Sequence, residues 1–230
     1  MNKSFTQVPK EETAAIILAG GTAKRLADKR PPGGKAECII GGQSLLSIVS
    51  GALVPATRLI LVVGGEPPKF SSQEFVPVRH IPDNQPGFGP LAAVRDGLRW
   101  IWHEHSKSLP QFVILSACDL PSIKPSLVSE MVDRFPHDLL STKWVIPKVG
   151  KRLQYLFSVC RPTILQPLDS FFAAGGRDFR SFVHYLQEHE STSIHVISDA
   201  IWRTIDPNAC AGSDIDTPAD LALYTGDASH

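Results

Sequence analysis

Ala14-Ala-Ile-Ile-Leu-Ala19 runs straight into Gly20-Gly21-Thr22-Ala23-Lys24-Arg25, and the rest of the chain is read outward from this stretch. An unbroken apolar run of strand length, closed by a breaker pair, is the pattern of a strand buried on both faces. Such strands belong to parallel sheets covered by helices. Ligands of open parallel sheets collect at the carboxyl ends of the strands. Gly20 and Gly21 remove side chains there, so that backbone N–H groups can approach a phosphate or a base. Arg25 and, further on, Lys35 supply the positive charge such a ligand needs. Taken alone, a Gly-Gly pair is more often only a tight turn, with Arg25 solvated and Lys35 an exposed loop lysine.

The pattern repeats downstream. Leu45 to Val54 reads as a helix, Arg58 to Val63 as a strand ended by Gly64-Gly65, and Val76 to Ile81 as a short strand. Leu91, Val94, Leu98 and Ile101 are spaced by three and four along a helix running to His105. Phe112 to Ala117 is rich in strand formers and leads at once to Asp119; Pro125 to Phe135 follows as a helix with proline in its first turn. Strands at Lys143–Ile146 and Leu153–Cys160 flank a turn at Val149-Gly150. Helices at Pro162–Ala173 and Asp178–His189, a strand at Ser193–Ile197 and a helix from Thr217 complete the chain. The expectation is one α/β domain, a three-layer α/β/α sandwich on a mostly parallel, Rossmann-like sheet. Its first half spans about residues 13–135 and its second half about 136–224.

Two better-known glycine motifs fail. G-x-G-x-x-G is absent, and Gly34-Lys35 is followed by Ala36 where a Walker A loop needs Ser or Thr. Three other segments carry chemistry. Ile81-Pro-Asp83-Asn-Gln-Pro-Gly-Phe-Gly89-Pro90 offers a carboxylate and N–H groups near a strand end, although Asp83 serves equally well as a turn former. In Ser116-Ala-Cys-Asp119-Leu-Pro121, a carboxylate at the end of a buried strand is placed to hold Mg²⁺ beside phosphate oxygens, or simply to cap a loop. Asp214-Ile-Asp216-Thr217-Pro218-Ala-Asp220 reads locally as a helix start, with Thr217 as N-cap and Pro218 in the first position.

The segment Leu18-Ala-Gly-Gly-x-x-x-Arg25, then Lys35-Ala and Gly41-Gly-Gln-Ser-Leu-Leu46, resembles the opening of nucleotidyltransferases with a glycosyltransferase-A-like fold. Within that superfamily it is most similar to the molybdenum cofactor guanylyltransferases, whose pattern is L-A-G-G-x-x-x-R-M-G-x-x-K. Leu26-Ala27 replaces Met-Gly here, and Pro31 to Gly34 lengthen the interval to the lysine. Asp83 to Ala92 is similar to the family's D-x-x-P-G-x-G-P-L-A, and Cys118-Asp119-Leu-Pro121 to its C-D-x-P. Arg152-Leu-Gln154-Tyr-Leu-Phe157 and Gly175-Gly-Arg177 resemble its acceptor side.

The resemblance implies transfer of GMP from GTP to the terminal phosphate of molybdopterin, with release of pyrophosphate. It implies that Arg25, Lys35 and Asp119 are catalytic. Leu18, Ala19, Gly20, Gly21, Lys35, Gly64, Asp83 and Asp119 would contact the nucleotide, although Gly64 stands where the family usually has a contacting Asn. Asp119, with Asp216 as a second ligand, would hold Mg²⁺; Arg152, Gln154 and Arg177 would bind the acceptor. The D-x-D-T-P around Asp216 is the form of several cytidylyltransferases, so CTP or another phosphorylated acceptor remains an alternative, as does a nucleotide-binding module without turnover.

Composition narrows the partners. Lys plus Arg number 23 and Asp plus Glu 23, which excludes bulk-charge binding of nucleic acid. No apolar run is long enough to span a membrane, and the four cysteines, Cys38, Cys118, Cys160 and Cys210, are scattered like buried thiols in a reducing compartment. A cytoplasmic protein is expected, with a cofactor-delivering protein as a candidate partner.

Overall fold

The computed structural model describes residues 10–20, 31–69, 76–136, 141–208 and 212–225. Gly21, Arg25 and Cys210 lie outside the described residues. In chain order the first elements are β1 (Thr13–Leu18), the two-residue strands β2 (Ile39–Ile40) and β3 (Gln43–Ser44), α1 (Leu45–Leu53) and β4 (Leu59–Val63). Next come β5 (Val78–Ile81), α2 (Pro90–Glu104), β6 (Phe112–Ala117), α3 (Pro125–Asp133), β7 (Trp144–Val149) and β8 (Arg152–Leu153). The chain continues with β9 (Phe157–Cys160), α4 (Leu165–Ala173), α5 (Phe179–His189), β10 (Ile194–Ile197), α6 (Asp199–Ile205) and α7 (Pro218–Thr225).

The large sheet has the order β10-β7-β9-β6-β1-β4-β5. β1 is central and parallel to both β4 and β6, and β5 continues in parallel beyond β4. β9 is antiparallel to β6 and β7, while β10 pairs with β7 in parallel. The expected mostly parallel sheet is therefore present, with β9 reversed inside it.

Alternation along β1 explains the three layers. Ala15 and Ile17 join Val49 and Leu53 of α1, Val128 and Met131 of α3, and Trp202 of α6 on one face. Ala14, Ile16 and Leu18 join Leu98 and Ile101 of α2, Leu168 of α4, and Phe182 and Leu186 of α5 on the other. Each buried Val, Leu, Ile, Met or Phe side chain among them contributes about 1.5–3 kcal/mol, so both helix layers are held by the same strand. A smaller cluster of Cys38, Leu45, Ile215 and Leu221 fastens the C-terminal segment beside β2 and α1.

The structure departs from the sequence pattern at several places, the short β2–β3 hairpin among them. β5 starts at Val78, after Pro77, which has no N–H to donate but whose carbonyl accepts from Ile60 N at 3.1 Å. The run Leu153–Cys160 splits into β8 and β9 at a turn through Tyr155 and Leu156, which Phe157 N closes by donating to Gln154 O at 3.5 Å. α6 was not foreseen, though its signals stand in the sequence: Ser198 accepts from Ile201 N as N-cap, and Asp199 lies in the first turn.

Candidate active site

The carboxyl ends of the parallel strands stay joined beyond their last residues. Ala19 N donates to Val63 O at 2.9 Å, Cys118 N to Leu18 O at 3.0 Å, and Gly64 N to Ile81 O at 2.9 Å. The backbones after β1 and β4 consequently touch without side chains between them. Gly64 and Gly65 have φ of 74° and 67°, and a Cβ on Gly64 would lie 3.0 Å from Gly20 Cα. A Cβ on Gly65 would lie 2.9 Å from the Ala19 carbonyl oxygen, closer than real Cβ contacts come. Gly65 was not singled out from the sequence; its signal was the second glycine after a buried strand.

Asp83 stands beside this glycine floor. Its Oδ1 accepts from Gln85 N at 3.0 Å, so the turn-forming role read from the sequence is real. Its Oδ2 is 3.8 Å from the position a Cβ on Gly20 would take, which leaves that oxygen facing the floor. His80 Nε2 lies 3.3 Å from the carbonyl oxygens of both Gly64 and Gly65, contacts the Nε2–H tautomer makes as donor.

Lys35, Asp119 and Asp216 converge beside them. Lys35 Nζ donates to Asp119 Oδ2 at 2.6 Å and to Asp216 Oδ1 at 2.5 Å. Each partner is set by local structure. Lys35 opens a 3-10 turn (Lys35–Glu37) after the Pro31 to Gly34 loop, where Gly34 N donates to Pro31 O at 2.9 Å and Gly33 N to Glu37 Oε2 at 3.0 Å. Asp119 follows β6, and its carbonyl accepts from Ile215 N at 3.1 Å, which draws the C-terminal segment in. Thr217 caps α7 as expected: its Oγ1 accepts from Asp220 N at 3.2 Å, while the N–H groups of Asp216 and Thr217 donate to Asp220 Oδ2 at 3.0 and 2.7 Å. Asp216 is thereby fixed just before the helix.

Lys35 corrects the sequence reading. It is 8% exposed, not an exposed loop lysine, because both carboxylates and the packed segment of Ile215 enclose it. Burial pulls its proton affinity down, but the bonds and charges of Asp119 and then Asp216 prevail and hold it above the ordinary lysine value. Burial pushes the Asp119 carboxyl up against the opposing bond to Lys35, and the nearby Asp214 charge pushes the same way. Among the described residues, one ammonium stands between these two carboxylates. Among the described residues no group of three or more His, Cys, Asp or Glu side chains gathers to hold a metal unaided.

The acceptor-side candidates are more exposed. Arg152 is exposed on β8, opposite Val149. Gln154 Nε2 lies 3.0 Å from where a Cβ on Gly212 would stand, against the start of the segment carrying Asp216. Arg177 is exposed too, yet its Nη1 donates to Phe172 O at 3.0 Å and to Gly176 O at 2.5 Å. Its Cζ is 5.6 Å from the Phe88 ring centroid, so it adjoins the loop that carries Asp83. Arg95, Phe88 and Phe172, which surround Arg177, were not singled out from the sequence. Among the described residues no helix is long and apolar enough to cross a membrane.

The family described as MobA-like NTP transferase domain matches residues 15–191. A protein of Chloroflexus aggregans named probable molybdenum cofactor guanylyltransferase is 31% identical over 91% of this chain and 92% of its own length. One of Trichormus variabilis with the same name is 27% identical over 93% of this chain and 90% of its own. The crystal structure of molybdopterin-guanine dinucleotide biosynthesis protein A from Archaeoglobus fulgidus superposes with a TM-score of 0.67 at 18% identity, covering 93% of this chain and 97% of that one. At that identity the superposition shows the fold alone, a three-layer α/β sandwich.

Proposed function

Because the chain belongs to the MobA-like NTP transferase family, we propose that it moves GMP from GTP to the terminal phosphate of metal-loaded molybdopterin, giving the guanine dinucleotide cofactor. The observation that carries this reading is the convergence of Lys35, Asp119 and Asp216 at the carboxyl end of the sheet, beside the Gly20 and Gly64 floor. An oxygen of the acceptor phosphate forms the new bond to the α-phosphorus of GTP. The bond from that phosphorus to the α–β bridging oxygen breaks, and the oxygen leaves with pyrophosphate. No protein nucleophile is required, since positioning and electrostatics carry transfers of this type.

The donor set fits Mg²⁺. Asp119 and Asp216 offer hard oxygens already aimed at one cationic point, and Mg²⁺ is commonly held by one or two carboxylates together with substrate phosphates and water. When bound there it supplies charge neutralisation on the triphosphate. Lys35 carries a proton firmly and brings its positive charge to the phosphates from the same point. Arg25 has the matching role by its place in the motif. The Leu18 to Gly21 backbone, Gly64 and Asp83 hold base and ribose, and Arg152, Gln154 and Arg177 receive the acceptor. The enzyme works in the cytoplasm, taking its fragile acceptor from a delivering protein.

A second reading uses CTP. Its support is the cytidylyltransferase-like Asp214-Ile-Asp216-Thr217-Pro218, whose Asp216 does meet Lys35, together with the missing side chain at Gly64. Calorimetric titration with the Mg²⁺ complexes of GTP, CTP, ATP and UTP separates the two. GTP should bind best, and Asp119→Asn should weaken it. Preference for CTP would transfer the protein to the sister activity. Nucleotide binding with no pyrophosphate release in the presence of acceptor would make it a binding module. Absence of all nucleotide binding would overturn the mechanism.

A further inference from the structure

Arg95 is a guanidinium where the core pattern of α2 calls for nothing polar. It lies among the buried positions of that helix at 7% exposure, and its Nε has no hydrogen-bond partner among the described residues. Burial first, then the neighbouring Arg99 charge, lowers its hold on its proton. A leucine or methionine at this position would avoid that cost, so packing alone does not account for the residue. What Arg95 does touch is a ring: its Cζ is 3.9 Å from the Phe172 centroid. The same ring carries Arg177, whose Cζ is 5.3 Å from it. Arg177 also donates to the Phe172 carbonyl at 3.0 Å and reaches the Phe88 ring on the Asp83 loop. Arg95, Phe172, Arg177 and Phe88 thus form a continuous ladder of cations and rings from α2, through the end of α4, to the loop beside the nucleotide floor.

We propose that Arg95 is a positioning residue for the acceptor: through the Phe172 ring it fixes the place where the exposed Arg177 guanidinium meets the acceptor's anionic group. The inference rests on the reading of Arg177 as an acceptor-binding residue and adds how that side chain is held. An exposed arginine has many rotamers, and contact on one ring with two carbonyl bonds selects among them. Arg95 and Arg177 both lie against that one ring, at 3.9 and 5.3 Å from its centroid, so the ring couples them.

The test is steady-state pyrophosphate release from Mg²⁺–GTP and molybdenum-loaded molybdopterin, using Arg95→Met, Arg177→Ala, the double variant and Arg95→Lys. Arg95→Met should raise the KM for acceptor about tenfold, well within what misplacing a binding group costs. It should leave kcat and the KM for GTP within about twofold. The double variant should be no worse than Arg177→Ala alone, and Arg95→Lys should recover part of the loss. If Arg177→Ala raises the acceptor KM but Arg95→Met does not, the positioning role falls while the acceptor assignment stands. Additive effects in the double variant, or an equal rise in the KM for GTP, overturn the positioning role in the same way. If Arg177→Ala leaves the acceptor KM unchanged, both fall. Should Arg95→Met fail to fold, Phe172→Leu removes the ring, keeps an apolar side chain and enters the same comparison with Arg177→Ala.

Discussion

The end of the sheet proposed to take the nucleotide and the side proposed to take the acceptor handle charge in opposite ways. At the nucleotide end, Lys35, Asp119 and Asp216 come from separate parts of the chain and meet at hydrogen-bond distance, with Lys35 and Asp119 side chains 11% and 17% exposed. On the acceptor side, Arg152 and Arg177 remain exposed, and Arg177 is held by rings and carbonyl oxygens. Converged charge away from water acts strongly but needs partners to offset its desolvation. Exposed charge costs little to keep and is weakened by solvent and salt. Reaction chemistry needs the first kind, and capture of an anionic partner can use the second.

Substitutions should break the nucleotide end hardest. Asp119→Asn removes the carboxylate but keeps the size of the side chain and leaves Asp216 on Lys35, so the fold should persist. Its kcat/KM should drop about a thousandfold, on the order of 4 kcal/mol in the barrier. A variant retaining most of its turnover would remove Asp119 from the reaction. Lys35→Ala should lower turnover about a hundredfold, on the order of 3 kcal/mol. Its burial adds a second consequence, because two carboxylates are left facing each other. Urea denaturation should show a loss on the order of 2 kcal/mol, less than the roughly 3–5 of a fully buried pair since Asp216 is 37% exposed. Unchanged stability would mean that the carboxylates do not depend on this ammonium.

Gly65→Ala probes the floor rather than the charges. Its φ of 67° and the 2.9 Å approach to the Ala19 carbonyl should cost about 2 kcal/mol and weaken GTP binding along with stability. Normal GTP affinity in a destabilised protein would separate the floor from the site. Cys160 gives the smallest effect, from β9 between β6 and β7, where it pairs with Val113 and Trp144. Burial raises its thiol far above the ordinary value of 9.0, so the fold favours the protonated form. That contribution is complete below about pH 9 and is lost as the unfolded thiol ionises, roughly 1.4 kcal/mol by pH 10. The wild type should therefore lose stability faster than Cys160→Ala between pH 8 and 10. Parallel curves would contradict the burial argument.

Much of this contrast was legible in the sequence, and the two ends differ in how much. The Ala14–Ala19 run, the strand before Asp119 and the spacing of α2 announce a buried parallel sheet, because strand burial and ligand position follow from local pattern. Thr217, Pro218 and Asp220 announce the helix start that fixes Asp216. What local pattern could not carry was depth. Lys35 follows a Pro and Gly loop and looks solvated; only packing of Ile215 against Cys38 and Leu45 brings two distant carboxylates to it. Arg95 falls on the apolar face of α2, four after Leu91 and three before Leu98, but nothing local announces its partner, since Phe172 lies on another helix. β8 and α6 were lost for a related reason: a two-residue strand and a seven-residue helix carry too little periodicity to stand out.

The most direct measurement follows the phosphorus itself. Wild-type protein and Asp119→Asn would be mixed with Mg²⁺, metal-loaded molybdopterin and either GTP or CTP labelled at the α-phosphate. The label from GTP should move to the acceptor with one pyrophosphate released per transfer, CTP should donate little, and Asp119→Asn should block the transfer. Label moving from CTP in preference to GTP would contradict the guanylyl assignment, and equal transfer by Asp119→Asn would contradict the Lys35–Asp119–Asp216 centre.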